Sequence, residues 1–127
     1  MIRAIKNLYQ RLKRGYTDED VWSFDAYLNK IIPSAVRQIA KGPNGCPGTF
    51  WDKKNKNDEC YKWKVVLEEI AQGFEAAESI SNFKYINLVK KEEGYIQEVD
   101  KKKLKMLTKK YDRGMDLFKK YYMALWD

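Results

Sequence analysis

The sequence predicts an all-α fold, a single helical domain over residues 1–127 built as a four-helix, bundle-like unit with a Pro-kinked second helix. Three observations predict it. Apolar residues recur at three- and four-residue spacing in four separate stretches. Clusters rich in Gly, Pro and Asn separate them. Only residues 83–99 leave the helical period.

The first helix is expected over Ile2 to Arg14, where Ile5, Leu8 and Leu12 share a face with Tyr9 beside them. Gly15 follows as a C-terminal residue that accepts a left-handed backbone cheaply. Thr17 reads as the next N-cap, with Asp18, Glu19 and Asp20 in a first turn where negative charge suits the helix dipole.

The second helix is expected from Asp18 to about Lys41, with Val21, Phe24, Leu28, Ile31, Ile32, Ala35, Val36 and Ile39 as its stripe. Pro33 removes one backbone hydrogen bond and should kink or split it near Lys30 to Ile32. Residues 42–48 form a breaker, and the loop is expected to run on to Asn57.

Asp58 reads as the cap of a third helix, Glu59 to Ile80, with Trp63, Val66, Leu67, Ile70, Phe74 and Ala77 in register. Gly73 beside that stripe costs about 1 kcal/mol of helix stability and is tolerable where another helix or ring approaches closely. Residues 83–99 read either as a small β-hairpin turning at Glu92-Glu93-Gly94 or as an irregular excursion. Asp100 caps the last helix, Lys101 to about Leu125, whose face carries Leu104, Leu107, Tyr111, Gly114, Phe118, Tyr121 and Leu125.

Composition narrows the function. The chain has 127 residues, enough for one modest core. A net charge of +7 favours anionic partners: nucleotides, nucleic acid or an acidic protein surface. There is no histidine, which removes Ser-His-Asp and Cys-His catalysis within one chain and the commonest metal ligand. The two cysteines, Cys46 and Cys60, form either one loop-closing disulfide or two thiols. Without a signal peptide, free thiols in a reducing cytoplasm are the expectation. No apolar run approaches the roughly 20 residues that cross a bilayer, so no membrane partner is expected.

Chemistry-bearing residues concentrate where the first two helices meet. Arg14, Tyr16, Asp18 and Trp22 join a guanidinium suited to phosphate with rings suited to stacking on a base. The same residues also make a self-sufficient helix–helix turn, Arg14 pairing with Asp18 or Glu19 and Trp22 filling the core. Asp25 falls inside the apolar stripe and must find a cation or several donors, or its pKa rises; Arg14, Lys30 and Arg37 are possible partners from nearby sequence. It either locks two helices in register or orients a ligand. Cations crowd both ends, Arg3, Lys6, Arg11, Lys13 and Arg14 in the first helix and Lys101 to Lys120 in the last. Side by side, those helices would track a phosphate backbone. Paired carboxylates at Asp18-Glu19-Asp20, Glu68-Glu69 and Glu92-Glu93 do not by spacing alone assemble a metal site. The reading is therefore non-enzymatic, with no cofactor, and a metal-dependent nucleotide hydrolase stands behind it.

Three blocks carry a resemblance. The first is Arg14-Gly15-Tyr16-Thr17-Asp18 followed by Trp22, Asp25, Tyr27 and Leu28. The second is Trp63 with Leu67, Glu68, Ile70, Gly73, Phe74 and Glu75, and the third is Gly114-Met115-Asp116-Leu117-Phe118, then Tyr121, Leu125, Trp126 and Asp127. Together they span most of the chain, which resembles a family of small, largely uncharacterised helical proteins of tailed bacteriophages. Relatives often carry Ser where Thr17 stands, which keeps the hydroxyl cap. Gly45-Cys46-Pro47 departs from their Gly-Tyr-Pro turn, so no tyrosine role carries over there. The resemblance implies a phage origin, an all-helical fold and, by association, action against bacterial defence; it brings no catalytic residues.

The sequence thus leads to a phage accessory protein in the cytoplasm of the infected host. It is expected to capture an anionic small molecule, most concretely a nucleotide-derived immune signal, through Arg14, Tyr16, Asp18, Trp22, Asp25, Lys30 and Arg37. The site is expected between subunits of a homo-oligomer. The alternative is a nucleic-acid binder or an inhibitor that binds a defence protein.

Overall fold

In the computed structural model, which describes residues 2–42, 45–50 and 60–126, the chain is mostly helical. Among the described residues it has five α-helices and one antiparallel hairpin: α1 (Ile2–Arg14), α2 (Asp18–Trp22), α3 (Phe24–Lys41), α4 (Tyr61–Ser81), β1 (Ile86–Lys91), β2 (Gly94–Val99) and α5 (Lys101–Tyr121). Single 3-10 turns stand at Gly48–Phe50 and Tyr122–Ala124. The expected Asp58 cap, the loop to Asn57 and the helix start at Glu59 lie outside the described residues.

The packed body is three helices, with α4 in the middle and α3 and α5 against its two sides. The α4 stripe fills the core as its periodicity predicts: Leu67 and Ile70 are fully enclosed, with Trp63, Val66 and Phe74 beside them. Val36 comes from α3 and Leu117 from α5. An aromatic group of Phe50, Trp63 and Tyr121 closes one end, with centroids 5.2–5.5 Å apart. Where α4 crosses α5 their backbones touch at Gly73 and Gly114; a Cβ on Gly114 would sit 2.5 Å from the Gly73 Cα. The glycine tolerated in sequence is thus required by the crossing.

The expected second helix does not run unbroken from Asp18 but divides at Ser23, whose φ of −137° and ψ of 68° leave the helical region. Of the kink or split expected at Pro33, the split does not occur: α3 runs through Pro33 without ending there. The hydrogen bond that Pro33 forgoes, to the Asn29 carbonyl, is offset by burial: Pro33 and Val36 are enclosed and Ile32 and Ile39 pack on the core. Asp25 is exposed at the rim of a cleft lined by Leu28, Asn29 and Phe74, and among the described residues no cation pairs with it.

The hairpin reading of residues 83–99 holds. Strand β1 pairs with β2 from Ile86↔Val99 to Lys91↔Gly94. Its base is clasped, Asp100 N–H donating to the Tyr85 carbonyl at 2.7 Å, and Asp100 then caps α5 by accepting from Lys103 N–H at 3.0 Å. The expectation of free thiols is overturned: Cys46 and Cys60 form a disulfide, with Cα atoms 5.7 Å apart. Their positions in the fold supply a proximity that their sequence spacing does not reveal.

Candidate functional site

The corner between α1 and α2 is built by capping chemistry. Gly15 adopts φ +84° and its N–H donates to the Arg11 carbonyl at 2.9 Å, closing α1. Thr17 then opens α2 with a capping box: Asp20 N–H donates to Thr17 Oγ1 at 3.1 Å, and Thr17 N–H donates to the Asp20 carboxylate at 2.8 Å. Thr17 is buried, so the corner has a fixed pivot. Tyr27 reaches back from α3, its hydroxyl donating to the Gly15 carbonyl at 2.8 Å.

The polar side of α1 faces the acidic start of α2. Arg3 pairs with Glu19, Lys6 with Asp18 at 3.3 Å, Arg11 with Asp20 at 3.1 Å and Arg14 with Asp18. Gln10 binds Asp18 twice, its amide donating to the carboxylate at 2.8 Å and its carbonyl accepting from Asp18 N–H at 2.9 Å. These contacts hold the Asp18 carboxyl down at about 2, Gln10 contributing most and then Arg14 and Lys6. Glu19 is lowered chiefly by its hydrogen bond to Arg3, and Asp20 chiefly by the Thr17 N–H. Most of the basic charge at the N-terminal end is therefore matched within the chain. Nor does α1 pack along α5, so the two basic helices form no joint track.

Four of the seven predicted site residues share one open recess. Arg14, Tyr16, Asp18 and Trp22, with Val21, line a hollow of about 500 Å³. The Arg14 guanidinium lies 4.5 Å from the centre of the Tyr16 ring, and its Nε donates to the Tyr16 carbonyl at 3.1 Å. Trp22 is 90% exposed. It fills no core.

The other three lie elsewhere. Lys30 lines a separate hollow with Arg11, Tyr27 and Ser23. Arg37 is engaged on α4, its Nε and Nη2 donating to the two Glu68 oxygens at 3.1 and 2.9 Å, with Glu75 also on Nη2. That grip raises Arg37 further and lowers Glu68, the hydrogen bonds leading in both. Arg37 thus ties α3 to α4. Asp25 stands at a cleft of about 340 Å³ between α3, α4 and α5, over Phe74, Ile80 and Met115. Asn29 on that cleft and Gln10 at the corner were missed; each sits at an ordinary helical position, and only tertiary placement marks it.

Among the described residues no three Asp, Glu or Cys side chains gather as a metal site, and no helix is long and apolar enough to cross a membrane. Comparison with known proteins returns no matching family model, no matching curated protein and no matching solved structure.

Proposed function

We propose that this chain is a non-catalytic phage accessory protein that counters bacterial defence in the cytoplasm of the infected host by sequestering a nucleotide-derived signal at the α1–α2 corner. The observation that carries the reading is the exposed Trp22 ring in one recess with the Arg14 guanidinium and Tyr16. A base stacks on Trp22, a contact worth about 1–3 kcal/mol. A phosphate takes Arg14 in exchange for Asp18. That exchange is cheap, because Asp18 keeps Gln10 and Lys6 when Arg14 leaves. Lys30, Arg37 and Asp25 lie outside this recess and are left out of the proposed contact. Cys46 borders a different hollow, with Trp63 and Trp126, so capture does not depend on the redox state of the Cys46–Cys60 bond.

The test is calorimetric titration of the full chain with ATP, cyclic AMP and cyclic di-AMP. The expected result is binding of at least one, weakened tenfold or more by Trp22→Ala and by Arg14→Ala, with the melting temperature of Trp22→Ala unchanged. Binding that is absent at millimolar nucleotide, or indifferent to both substitutions, overturns the reading.

One observation favours a second reading, nucleic-acid binding through α5. Lys101, Lys102, Lys103, Lys105, Lys109 and Lys110 are all exposed, and Arg113 with Glu69 at 2.9 Å is the one ion pair α5 makes among the described residues. Under that reading, log affinity for a DNA duplex falls steeply with log salt, and changing Lys101 to Lys110 to Gln flattens the slope.

A further inference from the structure

Helix α1 is mounted inside out. Its polar residues Arg3, Lys6, Gln10, Arg11 and Arg14 face the acidic start of α2 and pair with it while staying open to solvent. Its apolar residues Ile2, Ile5, Leu8, Tyr9 and Leu12 face solvent at 60–86% exposure, and α1 buries no residue at all. An amphipathic helix normally lays its apolar stripe on the core. Among the described residues the stripe has no partner.

We infer that the apolar face of α1 is a self-association seam, occupied by α1 of a second copy of this chain. Charge selects the occupant. A helix that lies on anionic lipid needs its cations free for headgroups. Of the five cations of α1, Arg3, Lys6, Arg11 and Arg14 are already matched by Asp18, Glu19 and Asp20. The same matching removes the like-charge repulsion that would keep two basic helices apart. An acidic partner protein finds the cations spent for the same reason.

Charge also selects the orientation. Lys13, which rests 5.6 Å from the centre of the Tyr9 ring, has no carboxylate partner among the described residues. A parallel pair would bring two copies of Lys13 together at one end. An antiparallel pair separates them by most of the helix length and opposes the two helix dipoles favourably. A two-fold axis near the middle of α1 then sets Ile5 against the partner subunit's Leu12 and Leu8 beside the partner subunit's Tyr9. The contact is isologous and closes at two copies.

The inference does not rest on nucleotide capture, and its test contains no nucleotide. Sedimentation velocity of the full chain is expected to give a two-chain mass at micromolar concentration that holds or strengthens as salt is raised. The variant Ile5→Lys/Leu12→Lys is expected to raise the dissociation constant at least about a hundredfold, with unchanged helical circular dichroism because both positions are exposed. A Leu8→Cys variant, near the axis, is expected to cross-link under mild oxidation, whereas Lys13→Cys is not. A single-chain mass at high concentration, a two-chain mass that survives the double variant, or cross-linking through Lys13→Cys but not Leu8→Cys would each overturn the proposal. So would cosedimentation of single chains with phosphatidylglycerol vesicles.

Discussion

Replacing Gly114 by Ala tests the α4–α5 crossing most directly. The added Cβ would lie 2.5 Å from the Gly73 Cα, 2.9 Å from the Glu69 carbonyl oxygen and 3.0 Å from the Gly73 nitrogen. Carbon atoms in comfortable contact stand about 3.5–4.0 Å apart, so the helices must part by roughly 1 Å. Every obstructing atom is backbone, and none can swing aside. Overpacking of this kind costs about 1–3 kcal/mol, and rigid neighbours place it at the upper end. Against that, Ala is better than Gly in a helix by about 1 kcal/mol. The net expectation is a loss of about 2 kcal/mol, a fall in melting temperature of roughly 8 °C for a chain of this size.

Urea unfolding followed by circular dichroism measures that loss. Gly73→Ala should behave alike, since its Cβ would meet the Gly114 Cα at 2.6 Å. The double variant should lose less than the sum, because one separation admits both methyl groups. If both single variants prove as stable as the parent or more so, the helices do not touch at these glycines and the reasoning fails.

Two further predictions follow from other parts of the molecule. Asp18 titrates in the folded chain at about 2 rather than near 3.8, so the support it gives the α1–α2 corner is complete only above about pH 5 and is lost progressively as pH falls through 2; the Gln10 side-chain amide resonance should titrate with that low midpoint, and a midpoint near 3.8 would refute the contact. The Cys46–Cys60 bond spans 14 residues of sequence, a loop whose closure contributes about 3 kcal/mol; Cys60→Ser should lower stability by about that amount, and the unreduced parent should take up no iodoacetamide.

Local chemistry was the legible part of the fold. The Thr17 and Asp100 caps, the Gly15 terminus and the α4 stripe each follow from residues within a turn or two, where capping and periodicity act. The Ser23 break was hidden because Val21, Phe24 and Leu28 keep helical spacing across it. Asp25, expected to need a partner, is exposed at its cleft, with no cation on it among the described residues. The α1 stripe announced a helix, but periodicity reports that an apolar face exists and is silent on what covers it. Arg37 shows the same gap at the site: its partners Glu68 and Glu75 lie on another helix, and nothing near Arg37 points to them. Packing at a distance also decided the fate of Pro33, where enclosure on α4 overrode a local preference.

The clasped hairpin makes the stretch from Ile86 to Val99 a cassette. Entry and exit are held together by the Tyr85–Asp100 hydrogen bond, while β2 shows only exposed residues and β1 none that is buried. The α4–α5 crossing is anchored beyond that bond, so its geometry answers to the glycines and not to the cassette's contents. An affinity peptide or a fluorescent reporter grafted at the Glu92-Glu93 tip would hang clear of the body, giving a handle for pulling the protein from cells without touching either the corner or α1.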